Sequence, residues 1–237
     1  MSKIKKIALI TGASSGIGKS IAIELSKNKY EVILSSRNIK LLEKVSKTIA
    51  DLGGKSHIVH LDVSDNKSVE KLFNKTKDIG FVDVVVNNAG FGRFDKIQNL
   101  NLEDWDSQLS VNLTGSFLIT KFFCAPMIKE KKGMFVYINS VAGKKAYPYS
   151  SAYVASKFGL LGFSRSIREE LREYNIKVIS VHPGAVDTDF WNNVNVDFSR
   201  DEMMSSSNVA KSIVHAILSP DNIVVEEIDI QRTEGDF

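Results

Sequence analysis

From end to end the chain alternates short, β-branched apolar runs with amphipathic helical stretches. That alternation restricts the fold more than any other feature, because period-2 and period-3.6 segments in turn build strand–helix–strand units. Strands are expected over 6–11, 31–35, 55–61, 82–87, 133–139, 177–182 and 223–230. Helices are expected over 17–27, 39–52, 65–79, 102–131, 151–174 and 208–218, the fourth irregular near Pro126. Runs such as Val84-Val85-Val86 are apolar on both sides of the strand, the mark of a parallel sheet covered on both faces. The expected fold is α/β: a Rossmann-like, doubly wound, seven-stranded parallel sheet with helices on both faces. No Pro/Gly/Ser-rich linker interrupts the 237 residues, so a single domain over 1–237 is expected.

Composition narrows the partners. A formal net charge of +3 from dispersed basic residues gives no nucleic-acid surface. The basic Ser2-Lys3-Ile4-Lys5-Lys6 leads straight into an apolar run and reads as a strand entry. No apolar run approaches the roughly 20 residues of a membrane span. The single Cys124 forms no internal disulfide and reads as a small buried hydrophobe, in keeping with the cytoplasm. His57, His60, His182 and His215 are scattered, without zinc spacing, and read as structural; no metal is expected.

Three groups of residues carry chemistry. Thr11-Gly12-Ala13-Ser14-Ser15-Gly16-Ile17-Gly18 follows the first strand and opens a helix. Its glycines allow close backbone approach to a phosphate, and the helix start offers N–H groups. The second strand ends in Ser35-Ser36-Arg37, where an acid would favour NAD and an arginine accommodates the 2′-phosphate of NADP. Tyr153 and Lys157 stand four apart, on one helical face, thirteen residues after Ser140. A cation beside a phenol lowers its pKa, and a nearby hydroxyl holds a substrate oxygen.

With Asn87-Asn88-Ala89-Gly90, Asn112 and Pro183-Gly184, these motifs resemble the short-chain dehydrogenase/reductase family over nearly the whole chain. The resemblance implies an NADP(H)-dependent oxidoreductase interconverting a carbonyl and a secondary alcohol. Tyr153 would be the general acid/base, and Lys157 would tune it and hold the nicotinamide ribose. Ser140 would bind the substrate oxygen, and Asn112 would hold a relay water. Gly12, Ser14, Ser15, Gly16, Ile17, Gly18, Ser36 and Arg37 would surround the phosphates and adenosine ribose. Asp62 and Val63 would lie along the adenine, and Asn88, Ala89 and Gly90 near the ribose. Pro183, Gly184, Val186 and Thr188 would orient the nicotinamide, Val186 through its backbone.

The resemblance also implies a homodimer or homotetramer through the two long helices and a small-molecule carbonyl or alcohol substrate. The 187–207 loop has no periodic element and carries Phe190, Trp191, Phe198, Met203 and Met204. With Phe91, Phe94, Val141, Ala142 and Tyr147 these suggest an apolar or aromatic-tolerant pocket, although loop aromatics also pin loops to a core. Lys144-Lys145 reads as a solvated pair, with attraction of an acyl-carrier protein as the alternative. The last strand lacks the Gly-Gly of many 3-oxoacyl reductases. It resembles instead the shorter branch of hydroxy-acid dehydrogenases and sepiapterin-reductase-like enzymes. The alternatives are 3-oxoacyl-(acyl-carrier-protein) reductase activity and a non-catalytic NADP-binding regulatory protein.

Overall fold

A computed structural model of the chain describes residues 5–193 and 199–235. Ser2, Lys3, Ile4 and Phe198, named above, lie outside the described residues. Strand β1 (Lys6–Thr11) leads through the Gly loop into α1 (Gly16–Lys27), then β2 (Tyr30–Ser36), α2 (Ile39–Asp51), β3 (Ser56–His60) and α3 (Asn66–Lys77). Strand β4 (Val84–Asn87) is followed by α4 (Leu102–Leu109) and α5 (Gly115–Glu130), then β5 (Gly133–Ile138) and α6 (Ser151–Leu171). Strand β6 (Ile176–Pro183), the two-residue strands β7 (Val186–Asp187) and β8 (Met204–Ser205), α7 (Ser206–Ile217) and β9 (Glu227–Ile230) complete the order. The main sheet has seven parallel strands in the order β3-β2-β1-β4-β5-β6-β9. The order reverses between β1 and β4, the place where ligands bind in such sheets.

Side-chain alternation along each strand explains the two layers of helices. Ala8, Ile10, Val84 and Val86 face α1, α2 and α7 through Ile21, Leu25, Leu42, Ile49, Val209 and Ile213. Ile7, Leu9, Val85 and Phe135 face α3, α5 and α6 through Leu72, Ile119, Phe123 and Leu160. The central strands β1, β4 and β5 are thus apolar on both sides, as their sequences required.

Five expectations change. The long helix over 102–131 is continuous from Leu102 to Glu130, but its irregular part is a π-helical segment at Ser110–Thr114, and Pro126 lies inside the α-helical part that follows. Leu102–Glu130 is long and apolar enough by length and composition to cross a membrane. Its Ile119, Phe123 and Met127 are nevertheless buried against the sheet. The last strand pairs only over Glu227–Ile230, because Ile223 N turns back to Pro220 O before the ladder begins. The 187–207 segment is not featureless: Asp189–Asn193 and Arg200–Glu202 are 3₁₀ turns, and β7 pairs with β8. Cys124 is half-buried rather than buried, and burial raises its thiol pKa.

Candidate active site

The Gly loop is shaped by contacts that exclude side chains. Gly12 and Gly16 have φ of +64° and +54°, the left-handed region that disfavours a Cβ. A Cβ on Gly18 would stand 2.3 Å from Asn88 Nδ2 and 2.5 Å from Gly12 O. Asn88 Nδ2 donates to Thr11 O at 2.9 Å and Gly12 O at 3.2 Å, so the β4 turn supports the loop from beneath. Thr11 Oγ1 accepts from Asn88 N and Ala89 N, both at 3.0 Å. Ser15 precedes α1 without a side-chain cap, and the first turn holds no acid. Its N–H groups therefore face the switch point as an anion-binding end. The loop fits a dinucleotide phosphate: bare backbone, uncapped N–H groups and no competing carboxylate. Ser14, Ser15 and Ile17 are half-buried around it.

At the end of β2, Ser36 Oγ accepts from Asn38 N at 3.2 Å and Arg37 is exposed. Asp62 is nearby. Burial raises its pKa, but hydrogen bonds from Ser64 and the fields of Arg37 and His60 outweigh this and hold it low. Val63 is buried against Gly115 of α5. Gly90 stands beside Asn112 and Lys157, where a Cβ would come within 3.1 Å of Asn112 Oδ1 and 3.7 Å of Lys157 Nζ. Pro183 ends β6, Gly184 N donates to Ile230 O at 2.9 Å, and Thr188 packs over Gly16. The carbonyl of buried Val186 accepts from Trp191 Nε1 at 3.0 Å, so one of the two backbone groups expected to meet a carboxamide is already engaged.

Asn112, 1% exposed, sits in the π-helical segment. A π-turn widens the helix and turns a side chain out of register. Asn112 Oδ1 accepts from Phe91 N at 3.0 Å, while Nδ2 donates to Phe91 O at 2.9 Å and Ser156 Oγ at 3.0 Å. These bonds fix the chain after β4 to the helix. Ser156, adjacent to Lys157, was not singled out from the sequence; its neighbour in the Tyr-x3-Lys motif was the available signal.

Helix α6 presents Tyr153 and Lys157 on one face, across from Ser140 at the end of β5. Burial pushes the Tyr153 pKa up to about 12, with hydrogen bonding to Ser140 acting in the opposite direction. Lys157 Nζ lies 5.6 Å from the Tyr153 ring centroid and donates to Ile138 O at 2.9 Å. The ammonium thus lies against the ring and donates to a strand carbonyl, and it is not among the causes of the Tyr153 shift. Burial brings the Lys157 pKa itself down to about 8. Ser140 Oγ accepts from Ala142 N at 3.1 Å, which leaves its O–H as a donor.

Aromatic rings crowd the Tyr153 side. Phe94 and Phe190 centroids lie 5.6 Å and 5.5 Å from Tyr153 and 5.9 Å from each other. Arg200 holds the loop by donating to Thr188 O at 2.6 Å and Asp187 at 2.8 Å, a clamp the sequence did not reveal. Lys144 is exposed, as expected, and is also ion-paired: Nζ pairs with Glu227 at 3.0 Å and Asp229 at 2.9 Å of β9. Lys145 lies over the Tyr147 ring. No cluster of metal-ligating side chains occurs among the described residues.

A doubly wound sheet with a Gly loop at its switch point, opposite a Tyr–Lys–Ser set, defines a nucleotide-dependent oxidoreductase scaffold. The profile of the short chain dehydrogenase family matches residues 6–198, and the chain belongs to that family. It is 37% identical to a sepiapterin reductase of Chlorobaculum tepidum, over 99% of both chains. It is 36% identical to a 3-oxoacyl-[acyl-carrier-protein] reductase of Synechocystis, over 81% of this chain and 78% of that one. An alcohol dehydrogenase of Thermococcus sibiricus complexed with 5-hydroxy-NADP superposes with a TM-score of 0.89 at 30% identity, covering 95% of this chain and 96% of that one.

Proposed function

We propose that this oxidoreductase is NADP(H)-dependent and interconverts a carbonyl and a secondary alcohol. The observation that carries the proposal is the convergence of Tyr153, Ser140 and Lys157 beside the Gly loop. Ser36 replaces the acid that would select NAD, Arg37 follows it, and a structural relative carries an NADP derivative. Gly12, Gly16, Gly18 and the α1 N-terminus would hold the pyrophosphate, Ser36 and Arg37 the 2′-phosphate, Asp62 and Val63 the adenine. Asn88, Ala89, Gly90 and Lys157 would line the riboses, and Pro183, Gly184, Val186 and Thr188 the nicotinamide.

When bound, the reduced cofactor supplies a hydride. The chain supplies orientation and a proton. With a pKa near 12, Tyr153 is protonated at neutral pH and is poised to donate to a carbonyl oxygen. Ser140 O–H donates to the same oxygen and stabilises its developing negative charge. Lys157, near 8, is a cation that can lose or regain a proton close to neutrality. Asn112 holds the Phe91 backbone and so shapes the wall of the site.

Phe94 and Phe190 favour an apolar or aromatic-flanked carbonyl, in line with the sepiapterin reductase relative. The described residues of the 187–207 segment, Phe190 foremost, bound this pocket within one domain over 1–237. Exposed Phe117 and Phe158 on α5 and α6 favour a homodimer or homotetramer through that face. The cytoplasm is the proposed location. A screen of NADPH consumption over diketones, 3-oxoesters, 3-oxoacyl thioesters, pterins and aromatic aldehydes tests the reaction. Turnover of apolar or aromatic ketones is expected. Exclusive use of 3-oxoacyl thioesters favours the second reading, which the Synechocystis relative supports and the ion-paired Lys144 weakens. No turnover with any carbonyl, together with tight NADPH binding, favours a regulatory protein.

A further inference from the structure

We infer that His182 is a positioning residue for Ser140, holding its main chain from behind so that its hydroxyl faces Tyr153. The inference rests on the proposed role of Ser140 at the reacting oxygen. His182 is fully buried on β6, and its Nδ1 lies 3.2 Å from Ser140 O. A carbonyl only accepts, so Nδ1 carries the proton. The same carbonyl accepts from Gly143 N at 2.9 Å, and Ser140 Oγ accepts from Ala142 N at 3.1 Å. Ser140 is thereby held at three points in an extended conformation, φ −167°, and its O–H is the group left to donate into the site.

The other ring nitrogen shows what the imidazole is for. Nε2 has no hydrogen-bond partner among the described residues and is 3.9 Å from Glu227 Oε2. Glu227 is itself fixed by Arg165 at 2.8 Å and Lys144 at 3.0 Å, while Lys144 also holds Asp229. Arg168 reaches Glu227 from α6 at 3.7 Å. Burial keeps His182 neutral, with Lys144 opposing its charge and Asp229 and Glu227 favouring it. A buried imidazole with one idle nitrogen is a poor filler compared with an apolar side chain. Its specific contribution is the Nδ1–H, and β9 braces the ring from the far side.

Variants of the full chain test this. His182→Leu removes the donor and keeps similar volume, whereas His182→Asn restores a donor near Nδ1 and His182→Gln offers one nearer Nε2. His182→Leu is expected to lower kcat at least tenfold with the NADPH Kd unchanged. Asn should recover most of that loss and Gln little. In a Ser140→Ala background, His182→Leu should cost less than twofold more, because its effect runs through Ser140. Additive losses, or equal rescue by Gln, overturn the inference. If the Leu variant does not fold, the Asn and Gln pair decides, together with ¹⁵N NMR of the wild-type ring. A neutral Nδ1–H tautomer is expected, and an Nε2–H tautomer overturns the inference whatever the activity. Full turnover by Ser140→Ala alone would sink the proposed reaction rather than the hydrogen bond, which the tautomer still reports.

Discussion

Lys157 lies against the Tyr153 ring, Nζ 5.6 Å from its centroid, and spends a hydrogen bond on Ile138 O at 2.9 Å. The ammonium is thus adjacent to the ring face. The burial that raises the Tyr153 pKa to about 12 also lowers that of Lys157 to about 8. The two shifts have one cause, removal of charge from water, and opposite signs because one group ionises to an anion and the other to a cation.

Lys157→Met should therefore stabilise the protein while removing activity. The Lys157 pKa falls from 10.5 to about 8 on folding, so the folded state binds its proton more weakly. Below pH 8 both states are protonated and the burial cost is at its full size, about 3 kcal/mol at 1.36 kcal/mol per pKa unit. Between pH 8 and 10.5 the folded state has released the proton that the unfolded state keeps, so stability rises with pH. Thermal melts of the cofactor-free variant at pH 7 should show a higher Tm and a flatter rise across that window. A lower Tm at pH 7 would contradict the burial argument.

Tyr153→Phe should lose at least two orders of magnitude in kcat yet bind NADPH within about twofold of wild type. Phenylalanine keeps the ring against Phe94 and Phe190 and deletes only the proton. Steady-state kinetics beside a fluorescence titration separates the two effects, and near-normal turnover would end the assignment.

Gly18→Ala tests the cradle. The added methyl carbon meets Asn88 Nδ2 at 2.3 Å and Gly12 O at 2.5 Å, and the second is backbone that cannot swing aside. NADPH affinity is expected to fall at least tenfold, with a loss of stability of about 1–3 kcal/mol typical of overpacking. Unchanged calorimetric affinity would show that the loop is not the phosphate site.

Arg37→Ala should weaken NADPH at least tenfold and leave NADH within about twofold, because only the 2′-phosphate distinguishes them. Equal losses for both cofactors would assign Arg37 to general loop structure.

Asn112→Ala should lower kcat about tenfold or more and cost about 2 kcal/mol of stability. It removes the side-chain partner of Phe91 N and Phe91 O in a half-buried place and one of the two bonds of buried Ser156 Oγ. An effect below twofold on kcat, with the fold intact, would show that the Phe91 segment does not shape the site.

The sequence by itself determined the sheet, the Gly loop and the Tyr-x3-Lys face. These depend on local rules: alternation along a strand, 3.6 residues per helical turn, and glycine where a side chain is excluded. The family match bears out that reading of the fold. The motif order in the sequence also pointed to Asn112 and Ser140, yet not to what their atoms would touch. Partners far apart in sequence were decided only when the layers packed. Asn112 clamps Phe91 because a π-turn, invisible in composition, rotates it out of helical register. Lys144, still exposed, pairs with Glu227 and Asp229 because β9 ends the sheet beside it. His182 looked like one scattered histidine among four, and only the pairing of β5 with β6 set it behind Ser140. Even the Tyr153–Lys157 spacing, fixed by the helix, left the direction of the ammonium open. Burial and the carbonyl of Ile138 settled it, since a desolvated cation turns to the strongest acceptor within reach.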